Sequence, residues 1–481
     1  MSDLDYAKLG MKSGLEIHQQ LDTNKLFCNC PSVLRQDEPE YIIKRKLHAV
    51  AGEKGGVDIA AEYQASLNKE FIYQAYDTTC LIELDEEPPH QINQEALKIA
   101  LQIAVLLNAT IIPIVQIMRK TVIDGSNTSG FQRTVLIARD GWLESSKGRV
   151  RIDSICLEED AARIVSKDEN SATYKLDRLG IPLVEIATAP DMKTPEQVKE
   201  VALKIGEILR SLKVKRGLGT IRQDLNVSIR GGARTEIKGF QDPSMMIETI
   251  NNELKRQQEI ISKGQKVEES VRNALKDGST EFLRPMPGAE RMYPETDLPL
   301  LKIHLDLINE AKKTLPKLRS EEEKELKKKG LNQDMITLLF KQNKLAEFKE
   351  LIKEIDNPSL VAKVLLMYPK EIAAREEVSL ERAEEFLSKE VLGFVLESVK
   401  KKKISENDIK LVLEKVVKGE DVKEAIEIEK ADVAEIEDEI RKFIHGKPGL
   451  TPNAYMGLVM KEFRGRVDGK TAMEIIKKYV K

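Results

Sequence analysis

Between Thr220 and Arg230 the chain changes character at almost every residue. Thr220, Arg222, Asp224, Asn226, Ser228 and Arg230 are polar or charged, whereas Ile221, Leu225, Val227 and Ile229 are apolar, with Gln223 the one interruption. A period of two fits a strand with one face on a core and the other in water, and it does not fit a helix. After Gly231-Gly232 a second strand-like run carries Arg234, Glu236 and Lys238. A two-residue turn would put the two charged rows on opposite sides of the hairpin. A three-residue loop, Gly231-Gly232-Ala233, pairs Ser228 with Glu236 and Asn226 with Lys238 and gathers the polar groups on one face, so we expect that loop. Such a face suits a charged ligand with a bound metal ion, or is the wet outer side of a sheet.

Elsewhere the chain divides by periodicity. Its first half alternates short β-like runs with capped helices: Asn93 precedes an apolar-striped helix, Ile111 to Met118 reads as a strand, and Thr194-Pro195-Glu196-Gln197 and Asp242-Pro243 open helices. From Ser262 to Gly288 the pattern dissolves into Gly, Lys, Glu and Ser, then into prolines, and reads as a junction without elements. Beyond about residue 305 only helical periodicity with Lys/Glu faces remains. A lysine run, Lys400 to Lys403, followed by Ser405 as a helix N-cap, marks a second boundary. The fold class is therefore α+β, divided as 1–262, a junction 263–300, a helical domain 301–404 and a small helical tail 405–481.

The charge balance narrows the function classes. Lys and Arg number 77 against 80 Asp and Glu, a net charge of −3, so no global basic footprint is present and any nucleic acid must meet local patches. Lys400 to Lys403 and the group Lys461, Arg464 and Arg466 are candidates, and each is equally a solvated helix face. Four cysteines in 481 residues make no secreted disulfide framework. The acidic N-terminus lacks a signal-peptide pattern, and the most apolar stretch, Ile99 to Met118, is broken by Gln102, Asn108, Thr110, Pro113 and Gln116. A cytoplasmic protein with no membrane association is expected.

Three segments carry candidate chemistry. On an early strand, Glu16 and His18 point to one face, as half of a metal or acid/base site or as a surface pair. Glu185 sits inside the apolar run Ile181 to Ala187, where an unpaired carboxylate costs several kcal/mol and so needs a cation, a proton or strong donors. Glu158-Glu159-Asp160 closes another strand, as ligands or as a solvated turn. Hard oxygen donors with one imidazole suit Mg²⁺ or Mn²⁺ better than structural zinc. The loop Asp124 to Gly130, between Arg119-Lys120 and Arg133, has the small residues that let backbone N–H groups approach an anion. Cys28-x-Cys30 has no second C-x-x-C, which argues against a zinc knuckle.

GLEIH at 14–18, LFCNC at 26–30, RKTVIDGSNTSGFQR at 119–133, LEEDAARI at 157–164, DRLGIPLVEIATAPD at 177–191, IRQDLNVSI at 221–229, EIKGF at 236–240 and GLVMKEFRG at 457–465 together resemble the B/E family of tRNA-dependent amidotransferase subunits. TTCLIELDEEPPHQIN at 78–93 and RPMPGAERMYPETDLP at 284–299 resemble its archaeal branch. The resemblance implies a cradle-like catalytic domain, a helical domain and a tRNA-binding tail. It implies ATP- and Mg²⁺-dependent phosphorylation of the glutamate γ-carboxylate on Glu-tRNA(Gln), then attack by ammonia channelled from an asparaginase-like partner, the D subunit of such complexes, in a hetero-oligomer. By the same resemblance, His18, Glu159 and Glu185 are metal ligands with Glu16 beside them. Arg222, Asp224, Asn226, Glu236 and Lys238 form the ATP and acyl-phosphate surface, and Lys120, Asn127 and Ser129 lie where the ammonia channel meets the active site. The alternative is a non-catalytic tRNA-binding protein that serves assembly of the same kind of complex. Archaeal members usually carry a domain resembling aspartyl-tRNA synthetase between cradle and helices, and Ser262 to Leu283 is too short to hold one.

Overall fold

The computed structural model describes residues 4–51, 55–240, 243–286, 291–427, 433–463 and 469–480. Its contacts divide the chain into two units, Met1–Arg319 and Ser320–Lys481.

The first unit is built on seventeen described strands. In chain order they are β1 (Lys12–Gln20), β2 (Tyr41–Arg45), β3 (Glu70–Ala75), β4 (Thr110–Ile111), β5 (Ile114–Val115), β6 (Met118–Thr121), β7 (Phe131–Ser145), β8 (Gly148–Glu159), β9 (Arg163–Lys167), β10 (Ser171–Lys175), β11 (Pro182–Thr188), β12 (Ile221–Ser228), β13 (Thr235–Phe240), β14 (Ser270–Ala274), β15 (Thr280–Pro285), β16 (Met292–Pro294) and β17 (Leu301–Lys302). The main sheet runs β15-β14-β13-β12-β1-β11-β8-β7-β6-β16, with β4 also paired to β7; β2-β3-β10-β9 make a smaller sheet, and β5 pairs with β17.

One face of the main sheet is apolar. Leu15 and Ile17 of β1, Val184 and Ile186 of β11, Ile155 and Leu157 of β8, and Leu225 and Val227 of β12 are buried in one core with the helices Gln94–Leu106, Pro195–Ser211 and Met246–Ser262. The helix starts follow their sequence signals: the Asn93 side chain accepts from Ala96 N–H, and Thr194 accepts from Gln197 N–H with Pro195 in the first turn. Because side chains alternate along each strand, the other face collects the residues between these apolar ones, Glu16, His18, Glu185, Arg222 and Asp224 among them.

Several sequence expectations change. Ile111 to Met118 is not one strand: Pro113 offers no N–H, and the chain splits into β4, β5 and β6, which pair with β7, β17 and β7 in turn. The 263–300 junction holds β14 and β15, an antiparallel pair that extends the main sheet, and β16, which pairs with β6. In the hairpin, Asn226 lies opposite Glu236 and Val227 opposite Thr235, two positions from the expected register, so the polar groups still share a face but the loop is longer. Ile229 turns into the core, Arg230 N–H donates to Leu9 O, and Gly232 N–H donates to Ile229 O, which consumes the residues that a tight turn would have paired. A Cβ at Gly232 would stand 2.6 Å from Gln257 Oε1. The Asp242 cap falls outside the described residues, and the helix that follows is entered through a 3₁₀ turn, Pro243–Met245.

The second unit contains only helices among its described residues. One core joins Leu326 through Ala425, including Leu360, Leu392, Ile404, Ile409 and Leu413, so the break after Lys403 lies inside a single helical body. A separate cluster, Ile436 to Ile476, forms the tail. Among the described residues no helix is long and apolar enough to cross a membrane.

Candidate active site and a second donor cluster

Cross-strand register assembles the polar face in rows. His18 on β1 lies opposite Glu185 on β11 and Arg222 on β12, and Glu185 lies opposite Cys156 on β8. Glu16 lies opposite Asp224, and Asn226 opposite Glu236. The central strand thus presents an imidazole between two carboxylates: His18 Nε2 is 3.4 Å from Glu16 Oε1 and 3.3 Å from Glu185 Oε2. One donor atom from each of the three lies within 4.8 Å of the others. Two carboxylates and one imidazole at this spacing fit a hard divalent ion such as Mg²⁺.

Electrostatics divides the charge unevenly. Burial, with Glu185 adding repulsion, pushes the Glu16 carboxyl up to about 7. Burial also disfavours ionised Glu185, but Lys120 and His18 outweigh it and hold this carboxyl well below its usual range. Against its own burial, His18 is raised by its bond to Glu185 and the Glu16 charge. Lys120 Nζ donates to Glu158 Oε1 at 2.6 Å and lies 3.4 Å from Glu185 Oε2, which keep the ammonium protonated despite burial. Two strands away, Lys238 Nζ sits 2.6 Å from both Asp224 Oδ2 and Glu236 Oε1, so the second part of the predicted surface is a compact charged triad.

The structure parts one expected residue, Glu159, from His18 and Glu185. Glu158, not Glu159, faces Glu185, because successive residues of β8 point to opposite faces and register sets Glu158 against Leu183 and Thr134. Glu159 instead accepts from the Arg133 backbone N–H and guanidinium at 3.2–3.4 Å, and Arg133 continues to buried Glu295 at 2.8 Å. Asn127 and Ser129 lie in the loop after β6, where Asn127 Nδ2 donates to Ser126 Oγ and Ser129 Oγ to Phe131 O at the start of β7. That loop is clamped by Tyr73 Oη to Gly125 O and Tyr174 Oη to Asp124 O, both 2.8 Å. Gly125 has φ +89°, and a Cβ there would fall 2.1 Å from Phe71 Cδ1, so only glycine fits.

A second cluster, missed in the sequence, brings Cys80 and Glu83 to Cys28 and Cys30, with one donor atom of each within 4.8 Å of the rest. Cys80-x-x-Glu83 is the second half-site that a search for C-x-x-C passes over. Glu83 Oε1 accepts from Cys28 Sγ at 2.8 Å and Glu83 Oε2 from Cys80 N–H at 2.8 Å, while buried Lys25 lies 3.7 Å away. Hydrogen bonds to Cys30 and Cys80, then burial, push Cys28 up, whereas bonds from the other two thiols bring Cys80 well down. Three sulfurs beside a carboxylate are a donor set for a thiophilic ion such as Zn²⁺.

Of the basic clusters, Lys400 to Lys403 are exposed where the helix Lys389–Lys400 ends, and Lys401 pairs with Glu397 at 2.5 Å. Arg464 and Arg466 lie outside the described residues.

The GatB/GatE catalytic domain matches residues 11–309, and the GatB domain matches residues 346–480. The chain is 36% identical to the E subunit of the glutamyl-tRNA(Gln) amidotransferase of Methanocaldococcus jannaschii, with 100% of both chains covered, and 49% identical to that of Methanococcus maripaludis, with 100% and 99% covered. The corresponding protein of Archaeoglobus fulgidus is 36% identical with 99% of each covered. The alignment to the first runs over 633 positions against 481 residues here, so that relative holds residues that this chain lacks.

Proposed function

This chain belongs to the GatB/GatE family, and on that premise we propose that its cradle face performs the ATP-dependent amidation of Glu-tRNA(Gln) to Gln-tRNA(Gln). The observation that carries the reading is the imidazole of His18 held between Glu16 and Glu185 on hydrogen-bonded strands.

A carboxylate is a poor electrophile for ammonia. In the proposed reaction the γ-carboxylate oxygen of the glutamyl group takes the terminal phosphoryl of ATP and ADP leaves; ammonia then attacks the carbonyl carbon and phosphate departs. Mg²⁺ held by His18, Glu185 and Glu16, with Glu158 close by, would offset the charge on the transferring phosphoryl group. The chain's own cations supply the rest. Lys120, kept protonated by Glu158 and Glu185, faces the same cluster, and Lys238 is fixed between Asp224 and Glu236 where it can meet a phosphate oxygen. Arg222 and Asn226 complete this surface. The clamped loop with Asn127 and Ser129 would guide ammonia from the asparaginase-like D subunit, away from water that would hydrolyse the acyl phosphate. Lys400 to Lys403 would meet tRNA phosphates, and the cytoplasm is where such a substrate is found. The Cys28 cluster is read as a structural zinc site outside the chemistry.

The test is to supply the purified protein with Glu-tRNA(Gln), ATP, Mg²⁺ and ammonium, with and without the partner, and to assay Gln-tRNA. Phosphate release from ATP that is indifferent to the aminoacyl group would refute the reading.

A further inference from the structure

We propose that Arg178 and Arg222 form a phosphate clasp at the end of the polar face, and that Asp160 is the positioning residue that sets it. Asp160 directly follows β8 and is 1% exposed. Its carboxylate accepts from Gln20 Nε2 at 2.6 Å, from Arg222 Nη2 at 2.9 Å and from Ala161 N–H at 2.9 Å, and Arg178 Nε stands 3.8 Å away. Arg178 is tied down independently by donating to Ala161 O at 2.7 Å and Ala162 O at 3.0 Å. Thus one buried carboxylate lies between two guanidinium groups, and the group of three carries an excess positive charge.

That excess is the sign of an anion site. Burial lowers the Arg178 pKa, Asp160 and then Asp177 oppose the shift, and Arg222 and Arg163 add to it; Asp177 is already paired with Arg163 at 2.5 Å, which leaves Asp160 to face both Arg178 and Arg222. The Arg222 side chain is 39% exposed, and among the described residues its Nε and Nη1 make no hydrogen bond, nor does Arg178 Nη1. Planar forks with free N–H groups match phosphate oxygens. Arg222 is the cross-strand partner of His18, which puts the clasp beside the proposed metal cluster. The amidation reading uses neither Asp160 nor Arg178; the clasp rests on that reading only for the identity of its phosphate, which belongs either to the nucleotide or to the tRNA.

The test uses the full chain in its complex with the ammonia-releasing partner. Calorimetric titration with ADP in Mg²⁺ buffer gives a readout independent of turnover, and separate KM values for ATP and Glu-tRNA distinguish the two sources. Loss of one charge-assisted contact in Arg178→Gln should raise the affected constant about tenfold, with kcat lowered much less. Asp160→Asn should shift the same constant by releasing Arg222, beyond any fall in folded fraction read from thermal melting. A rise for ATP, with weaker ADP binding, assigns the clasp to the nucleotide; a rise for Glu-tRNA alone assigns it to a tRNA phosphate. Should Asp160→Asn fail to fold, Arg178→Gln carries the test, and Arg178→Lys, which keeps the charge but loses the fork, should restore only part of the affinity. Unchanged KM for both substrates together with unchanged ADP binding in Arg178→Gln overturns the proposal. A protein that makes no Gln-tRNA but whose ADP affinity depends on Arg178 refutes the amidation reading and leaves the clasp standing.

Discussion

Glu16, His18 and Glu185 come from two adjacent strands of a wide sheet, whereas Cys28, Cys30, Cys80 and Glu83 come from irregular segments outside every strand. Both sets bring donor atoms within 4.8 Å of one another. The first offers hard donors, partial exposure and neighbouring cations, as a site that must admit a charged substrate and turn it over needs. The second offers three soft sulfur donors and one carboxylate, with Cys28 and Glu83 buried and the carboxylate tied to a backbone N–H. Similar spacing is therefore compatible with opposite uses: on our proposal the site on the rigid sheet stays open to exchange, and the site among loops holds those loops together.

The sharpest way to break this division is to remove charge from the sheet cluster. Glu185→Gln should lower the rate of Gln-tRNA formation by about a thousandfold, because preorganised charge at the phosphoryl group is lost. Retained activity within tenfold would end the claim that the sheet cluster is the centre. Glu158→Gln should cost about a hundredfold, since Lys120 loses its closest partner on the reacting face. Glu159→Gln should leave the rate within about threefold and instead destabilise the fold by about 2 kcal/mol, since buried Arg133 loses a charged acceptor. Paired rate assays and denaturant titrations of these two variants separate the faces of β8, and the reverse ranking would restore Glu159 as ligand.

The loop cluster should respond in the other way. Cys80→Ser is expected to abolish a stoichiometric zinc content and to lower stability by about 2 kcal/mol, with activity per folded molecule nearly kept. Metal analysis by mass spectrometry with thermal melting checks this. Full stability in the zinc-free variant would remove the structural role.

How far these two sites can be read from sequence follows from their construction. Glu16 and His18 share a face by the period of a single strand, and Glu185 betrays itself as a carboxylate in an apolar run; each is a local signal. The choice between Glu158 and Glu159 depends on how β8 meets β11, and that register is a property of two strands together, invisible in either alone. The thiol cluster was hidden because its halves are separated by the whole of β2 and β3 and because Glu83 replaces the sulfur that the usual pattern requires. Periodicity also failed for Ser270–Ala274 and Thr280–Pro285, strands so short that the glycines and charges around them set the local composition.

The smallest expected effect examines the sheet cluster without its ion. The Glu16 carboxyl stands at about 7 in the fold against an ordinary value of 4.5, because burial and Glu185 disfavour its charge. A carboxyl raised in this way contributes stability below the unfolded value, and that contribution is lost as pH rises through about 7, where the folded state must give up the proton. Chelated protein should therefore become less stable between pH 5 and pH 8 by an amount that Glu16→Gln removes, worth about 1–2 kcal/mol after allowing for partial exposure and coupling to His18. Added Mg²⁺ should reverse the loss in the wild type and have little effect in the variant, because the ion supplies the charge that the proton gave up. Denaturant midpoints at the two pH values, with and without Mg²⁺, give the four numbers needed. Parallel pH dependence in both proteins would show that Glu16 is not held in the electrostatic field of Glu185, and the sheet cluster would then lose the coupled carboxyl pair that sets it apart from the thiol cluster.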